Sequence, residues 1–563
     1  MPPTIYRSRF PDFEPIDLDV VTYVFSNPQN TPENRPLYID AVTKATRTFG
    51  EVKKKTKSLS HGLRKLGVKP KDVVAFISPN SIDYAIICYA VLGAGATISP
   101  ASVAYTPLEL QGQLETSEAK VVIAHSSVID VVEKAVKFDK TIQILQADGD
   151  VDKHGQPTAE SLASTCPATE LISISPDEAG DRVAFMCFSS GTTGRAKGVM
   201  TTHRNMVSNL QQWMVHFLEK MDNDSKLVTF LPFSHIYGLT SHICVNVFLG
   251  TSLVVLPRFD LPLYLECLHK YRPEWVFVVP PIMLLLAKHP LVEKYDLSSL
   301  RRFMSAAAPL SPELRQDVED RFKKLYGTTV YGLQAWGLTE TSPLATLVPS
   351  SRPDKRNTVG NITPGMEFRV VDPDTSEDVD VAADGSTSKA GELWCRGPNV
   401  TKGYFRNAEA TKEGFAQDPQ GNSWFRTGDI GTIDNEGFVT IVDRIKEMIK
   451  YKGMQVIPSE LEGKLLAHPD VEDACVVGQW VEEQATELPH GFVVIKQSAK
   501  PRGEEAIVTE IHAWLNPQIA NHKRLRGGIT IIDAVPKSTS GKILRRQLKE
   551  TLNVKRQKQG SKL

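Results

Sequence analysis

The sequence predicts an α/β fold: a large N-terminal domain of parallel β-sheets layered with helices, carrying a β-rich subdomain, and a small α+β C-terminal domain. Three observations lead there. Apolar runs of strand length alternate with segments of helical period from Thr48 to beyond Ser311, the pattern of parallel sheets covered on both faces. After Gly360 the runs shorten into β-type pieces. At 563 residues the chain also exceeds what one hydrophobic core organises.

Taken in order, Val52, Leu59, Leu63 and Leu66 mark a helix after Thr48, followed by a strand at 73–77. A helix from Tyr84 to Leu92 stops at Gly93, and a strand follows near 96–99. Segments 121–124, 227–231, 253–256 and 275–279 read as strands, and 261–271 and 281–289 as helices. Ser311-Pro312-Glu313 opens another helix, with a cap, proline at the first helical position and an early acid. Beyond Gly360, segments 368–371 and 392–396 are short strands, and 430–442 is hairpin-like, turning at Asn435-Glu436-Gly437. A boundary falls between Arg444 and Lys446. It separates an N-terminal domain, 1–444, from a C-terminal unit, 445–563, of roughly 115 residues, ample for its own core.

Lys and Arg number 65 against 66 Asp and Glu. That balance removes the electrostatic argument for nucleic acid or an anionic membrane as partner, and points to small molecules. Cys88, Cys166, Cys187, Cys244, Cys267, Cys395 and Cys475 are scattered without a CxxC pair, which suits free thiols in a reducing compartment. Two stretches lack charge for long enough to raise the membrane question, 84–108 and 227–257. Their internal glycines, prolines and histidines read as buried helix-turn-strand units, so no transmembrane segment is expected. The N-terminus has no apolar secretory core. The ending Ser561-Lys562-Leu563 matches a peroxisomal address, so the expected location is the peroxisome and an expected partner its import receptor.

The stretch richest in chemistry is Ser189-Ser190-Gly191-Thr192-Thr193-Gly194-Arg195-Ala196-Lys197-Gly198. Glycines admit unusual backbone, hydroxyls and free N–H groups converge on an anion, and Lys197 adds positive charge, so the loop reads as a polyphosphate cradle. The apolar run 183–188 before it and the helical period from Met206 to Phe217 after it predict a loop between strand and helix. The spacing is not GxxxxGK[ST], which disfavours a P-loop NTPase. A polar surface loop would show the same enrichment, and the downstream motifs have to decide.

Those motifs are Gln334-Ala335-Trp336-Gly337-Leu338-Thr339-Glu340-Thr341, Gly391-Glu392-Leu393-Trp394-Cys395-Arg396-Gly397, Thr427-Gly428-Asp429, Asp443-Arg444-Ile445-Lys446 and Pro536-Lys537-Ser538-Thr539-Ser540-Gly541-Lys542. In that order, over about residues 20 to 550, they resemble the adenylate-forming superfamily of acyl-CoA synthetases, luciferases and carrier-protein adenylation domains, closest to the 4-coumarate:CoA ligases. The resemblance implies that a carboxylate attacks the α-phosphate of ATP, giving acyl-AMP and pyrophosphate, and that the thiolate of CoA then displaces AMP. Both steps concentrate negative charge, which fixed donors, cations and Mg²⁺ must stabilise.

By the same resemblance, Ser189, Ser190, Gly191, Thr192, Thr193 and Lys197 hold the β- and γ-phosphates, and Thr339 with Glu340 holds the α-phosphate and the metal. Asp429 accepts the ribose hydroxyls and Arg444 supports ribose and phosphate. Trp336, where the family more often has Tyr, offers a flat face to adenine, with Ala335 beside it and Gln334 reading polar edges. Lys542 neutralises charge between carboxylate and α-phosphate. The C-terminal domain is then a mobile lid that swivels about Lys446 and presents Lys452-Gly453 to the CoA arm. Lys450 and Gln455 meet AMP and the reaction centre, and Arg258 stands where relatives often place a Lys near the CoA phosphates.

The implied acid pocket has one wall at 231–239 and Ser241, including His235 and Tyr237, and another at Ser305-Ala306-Ala307-Ala308-Pro309. Leu333, Leu344 and Leu347 close its end. No acidic residue stands between 231 and 241 to pair with an α-ammonium, which disfavours amino acids as substrates. Ala306 replaces an expected Gly and narrows the pocket by a methyl. His235 either gates the carboxylate, assists the thiol, or is a buried hydrogen-bonded histidine.

The expectation is a peroxisomal ATP-dependent carboxylate:CoA ligase using Mg²⁺, on an aryl-propenoic or medium-chain apolar acid. The alternatives are a luciferase-like oxygenase, a carrier-protein-loading ligase, and a nucleotide-binding regulatory protein without turnover. Thioester formation on free CoA and carboxylate-dependent pyrophosphate exchange separate them.

Overall fold

The computed structural model describes residues 4–189, 196–217, 221, 224–381, 385–418, 420–452, 454–484, 486–538 and 541–560, without the side chains of 216, 217, 483 and 553–560. The expected alternation produces two sheets of mainly parallel strands. In the first, Gln143–Gln146, Val121–Ala124, Val73–Ile77, Thr97–Ala101 and Val183–Ser189 run parallel, and Lys197–Thr202 closes the edge antiparallel. In the second, Lys226–Thr229, Ser252–Val255 and Pro36–Asp40 run parallel beside Thr46–Thr48. Val73–Ile77 is buried at every position, as a strand covered on both faces must be. The helix Phe49–Lys65 begins with a reciprocal cap between Thr48 and Glu51, and Pro312–Tyr326 with the Ser311 hydroxyl accepting the Leu314 N–H at 3.2 Å.

One expectation is overturned here. The loop after Ser189 leads into a second strand, not a helix: Lys197–Thr202 pairs antiparallel with Val183–Ser189, with Lys197 opposite Ser189, and the helix His203–Phe217 begins only afterwards. The strong helical period from Met206 overshadowed the short strand before it, whose sequence Lys-Gly-Val-Met-Thr-Thr shows no clean alternation.

The third sheet has 11 strands and changes character along its width. Trp275–Val278, Arg302–Ser305 and Tyr331–Gly337 run parallel, and then Leu344–Leu347, Gly360–Ile362, Phe438–Arg444, Ser423–Ile433, Gly391–Arg396 and Glu367–Val371 continue antiparallel. One hydrogen-bonded surface thus joins the helix-layered region to the β-rich subdomain. The largest hydrophobic core runs from Val20 to Val348, whereas the cores built from Ile449–Leu525 and Cys475–Leu552 use only residues beyond Arg444. The C-terminal part pairs Val471–Val481 with Thr486–Ile495 and Gly528–Ile531, and adds the hairpin Ile449–Tyr451 and Met454–Val456.

Of the two uncharged stretches, 84–101 is buried helix and strand, with Val103 and Leu108 exposed beyond it, and 227–257 is mostly buried; among the described residues no helix is long and apolar enough to cross a membrane. All seven cysteines are free thiols.

Candidate active site

The 11-stranded sheet delivers three of the expected residues to one place. Asp429 in Ser423–Ile433 lies directly opposite Arg444 in Phe438–Arg444, and Trp336 comes from the end of Tyr331–Gly337. Asp429 is 2% exposed. Its Oδ2 accepts the Trp336 Nε1–H at 3.0 Å, and Arg444 Nε stands 2.8 Å from Oδ1 as an ion pair. Burial pushes the Asp429 carboxyl above its ordinary range, and Arg444, the Trp336 N–H and Lys542 oppose that push. No N–H or O–H among the described residues is aligned on Oδ1 as a hydrogen-bond donor. A buried carboxylate oxygen in that condition is an acceptor open to a ligand hydroxyl.

Beside it the chain makes a tight passage. A Cβ at Gly337 would fall 1.8 Å from the Pro343 carbonyl oxygen, so only glycine lets the strand end turn there. The 3₁₀ turn Thr339–Thr341 follows, and Glu340 is held inside it, 7% exposed. Its backbone oxygen accepts the Thr401 N–H at 2.8 Å, and its Oε1 accepts the Tyr404 hydroxyl at 2.9 Å. Burial and the Glu340 charge hold the Tyr404 phenol well above its usual range, so it remains a donor. Lys197 Nζ rests 5.0 Å from the centre of the Tyr404 ring. The lysine that ends the phosphate loop and the buried glutamate therefore share one tyrosine. Among the described residues no group of three or more His, Cys, Asp or Glu gathers as a metal site. A single carboxylate suits a hard cation whose remaining ligands are phosphate oxygens and water, and Glu340 with Thr339 fits Mg²⁺ in that sense. Ser190, Gly191, Thr192 and Thr193 lie outside the described residues.

The C-terminal part contributes Lys542. Gly541, at φ +81°, fits against Val279 and Pro281: a Cβ there would meet Val279 Cγ2 at 3.3 Å and Pro281 at 3.5 Å. Lys542 is drawn into the site, where burial and the Arg444 charge lower its pKa while Glu447, Asp429 and Glu340 raise it. His235 feels the same lysine. Burial and Lys542 press its pKa down to about 4, and its Nδ1 accepts the Tyr237 N–H at 3.2 Å, so the ring is neutral at pH 7 with its proton on Nε2. Three residues after Lys542, Arg545 bonds Glu447 at 2.9 Å and also clasps Glu462, tying the lysine loop to the segment beside the exposed Lys446.

Other expected residues are not gathered here. Lys450 and Gln455 face each other across the hairpin Ile449–Tyr451 and Met454–Val456, and both are exposed with Lys452. The hairpin leans on the C-terminal sheet: the Lys450 N–H donates to Glu487 at 2.9 Å and the Lys452 N–H to the Thr486 hydroxyl at 2.7 Å. Gly453 lies outside the described residues, and Arg258 is exposed.

In the acid pocket the polar groups are turned on the protein itself. The Tyr237 hydroxyl donates to the Met304 carbonyl at 3.1 Å, and the Ser241 hydroxyl donates to the Tyr237 carbonyl at 2.6 Å with His242 Nδ1 2.7 Å away. Both hydroxyls are engaged by the protein, leaving an apolar wall. Leu333, Leu344 and Leu347 are buried as expected, and Ala307 is exposed at φ +71°. Gln334 is engaged within the protein: its amide accepts the Leu310 N–H at 3.3 Å and donates toward the Arg356 and Thr358 carbonyls. Ala335 is buried beside it, opposite Leu347. A cleft of about 720 Å³ behind Thr401, bounded by Arg396, Lys412 and Phe415, touches none of Asp429, Trp336 and Lys542. Tyr404 was missed, because nothing local to Lys402-Gly403-Tyr404 ties it to a glutamate far upstream.

The chain matches known proteins over nearly its whole length. The family description for AMP-binding enzymes fits residues 24–405, and that for the AMP-binding enzyme C-terminal domain fits residues 460–542. It is similar to 4-coumarate–CoA ligase-like 9 of Oryza sativa subsp. japonica, 36% identical over 98% of this chain and 96% of that one. It is similar to 4-coumarate–CoA ligase 1 of Petroselinum crispum, 35% identical over 97% and 96%. Among solved structures it resembles ATP-bound MatB from Rhodopseudomonas palustris, with a TM-score of 0.81 at 26% identity over 95% of this chain and 98% of that one.

Proposed function

This chain belongs to the AMP-binding enzyme family, and on that premise we propose that it is an ATP-dependent carboxylate:CoA ligase. It joins an acid to AMP with release of pyrophosphate, and then exchanges AMP for the thiol of CoA. The observation that carries this reading is the pairing of Asp429 with Arg444 on the sheet, with Glu340 in the adjoining turn and the Gly541-Lys542 loop, from beyond the 445 boundary, lying beside Val279 and Pro281.

In the first step Asp429 receives the ribose and Trp336 faces the base. Lys197 neutralises the outer phosphates. Lys542 meets the charge that develops as the carboxylate oxygen bonds the α-phosphorus and the bond to pyrophosphate breaks. Mg²⁺ bound at Glu340 would supply further charge neutralisation on the phosphates. Neutral His235 lines the acid's approach without repelling or trapping its carboxylate. Reading residues 1–444 and 445–563 as two domains joined at Lys446, the second step requires the C-terminal one to swivel, replacing the Lys542 loop by the Lys450–Gln455 hairpin, with Lys452, Gly453 and Arg258 on the CoA side.

The acid is an aryl-propenoic one of the 4-coumarate kind, a reading supported by the names of the relatives. A medium-chain apolar acid is the second reading, favoured by the engaged hydroxyls of Tyr237 and Ser241. Mass spectrometry of the products from ATP, Mg²⁺, CoA and a panel of both acid types tests the pair. Acyl-CoA must form with AMP and pyrophosphate, and the absence of carboxylate-dependent pyrophosphate exchange on every acid would refute the ligase. The tripeptide Ser561-Lys562-Leu563, outside the described residues, supports a peroxisomal location through the import receptor, and its removal should leave a tagged chain outside peroxisomes.

A further inference from the structure

We propose that Trp336 is a positioning residue for ribose recognition: its indole N–H, and not only its ring face, holds the Asp429 carboxylate in the orientation that meets the hydroxyls of a bound nucleotide. The proposal rests on the nucleotide reading of this site. Three observations carry it.

First, the indole N–H supplies the hydrogen bond to Asp429 Oδ2, at 3.0 Å, and no other donor among the described residues shares that oxygen. Second, the ring cannot drift. Trp336 packs against Phe368 with centroids 6.1 Å apart and planes at 54°, and the strand register slips between Trp336 and Gly337, where the chain must pass close to Pro343. Third, Asp429 Oδ1 is buried without an aligned donor.

The consequence follows from the geometry of a carboxylate. Its terminal torsion is broad and soft, so an Asp held by charge alone can turn its oxygens. Arg444 Nε, 2.8 Å from Oδ1, holds one side of the carboxylate and the more distant Lys542 attracts it, but neither bonds Oδ2. A directional bond to one oxygen fixes the plane and leaves the other aimed in a constant direction, which is how one group pre-organises another for a ligand. A tyrosine at this position carries its donor at the far end of the ring. Tryptophan combines a flat face with a donor on its edge, and it does so here on the carboxylate expected to take the sugar.

The test compares ATP with 2′,3′-dideoxy-ATP by calorimetry on the full chain, in wild type, Trp336→Phe, Asp429→Ala and the double variant. Phenylalanine keeps a stacking face and removes the N–H. The preference for ATP should fall about tenfold in Trp336→Phe, about 1.4 kcal/mol, with the dideoxy nucleotide weakened less than about threefold. In the Asp429→Ala background, Trp336→Phe should not change the preference further. Equal weakening of both nucleotides in Trp336→Phe overturns the proposal, because a residue that only stacks cannot distinguish them. Should the phenylalanine variant not fold, benzothienylalanine at 336 replaces the N–H by sulfur at the same ring size. Its loss of the preference supports the proposal and its retention of the wild-type preference overturns it. A wild-type chain that binds neither nucleotide refutes the nucleotide reading itself, and the proposal with it.

Discussion

The Tyr404 hydroxyl donates to Glu340 Oε1 at 2.9 Å, joining two buried residues 64 positions apart. Lys197 lies over the same ring, so the tyrosine aligns the phosphate-loop lysine with the carboxylate expected to face the metal. Tyr404→Phe keeps the ring and leaves Glu340 without that donor. Pyrophosphate exchange should fall about tenfold, the size of one hydrogen bond to a charged group. Thioester formation from supplied acyl-AMP should change little. Unaltered exchange would show that Glu340 holds its place without the phenol.

The charges of Arg444, Asp429 and Glu340 all act on Lys542, which the C-terminal part brings up beside Gly541. Lys542→Ala should reduce acyl-AMP formation at least about a hundredfold, as expected for loss of charge stabilisation in the transition state. The CoA step on supplied acyl-AMP should survive. Equal loss in both half-reactions, measured separately, would remove the lysine from its assigned step.

Gly541 places that lysine. It sits at φ +81° with Val279 and Pro281 close by, so Gly541→Ala strains the loop and pushes it off the N-terminal domain. Adenylation should fall about tenfold, by a cost of about 1 to 2 kcal/mol, while the CoA step and the thermal midpoint hold. Full adenylation by the variant would mean that the lysine loop does not need this contact.

Two buried histidines set a pH dependence of stability. Burial, with Arg182 nearby, presses His203 down to about 3, and burial alone brings His242 to about 3. Their folded pKa values lie below the ordinary 6.5, so below that pH the unfolded chain binds more protons than the native one. The stabilisation is complete above pH 6.5 and is lost as pH falls toward 3. Each histidine should remove about 1.4 kcal/mol per pH unit through the middle of that window. Denaturation at pH 7.5, 6 and 5 measures the slope. His203→Gln, whose amide oxygen can still accept the Val20 N–H that now bonds Nδ1 at 3.1 Å, should make it shallower by one proton. An unchanged slope would mean that His203 is already charged in the native state.

Much of this molecule was legible in its residues. The strand at 73–77 and the cap at Ser311 stand as read, because apolar period and cap chemistry are local properties. The misread segment after Ser189 is instructive. A six-residue strand at a sheet edge, Lys197–Thr202, shows no clean alternation and stands beside the long periodic helix that follows it. Tyr404 was invisible for a different reason. Its partner is determined by the crossing of two distant loops, and no spacing rule reaches that far.

The residues alone determined the kinds of groups available and their order along the chain: a hydroxyl-rich loop ending in lysine, then an isolated Glu, an Asp, an Arg and a last lysine after glycine. Tertiary structure decided which of them meet. Asp429 stands opposite Arg444 because two strands pair in one register, and a slip of one residue would turn one of them away. Tertiary structure also decided that Lys542 and not Lys450 faces the sheet, that the Tyr237 and Ser241 hydroxyls are engaged within the protein, and that Trp336 turns its N–H on Asp429. The physical reason is that side-chain chemistry is carried by each residue, whereas distance and direction are set by long-range pairing and burial, which no local stretch of sequence contains.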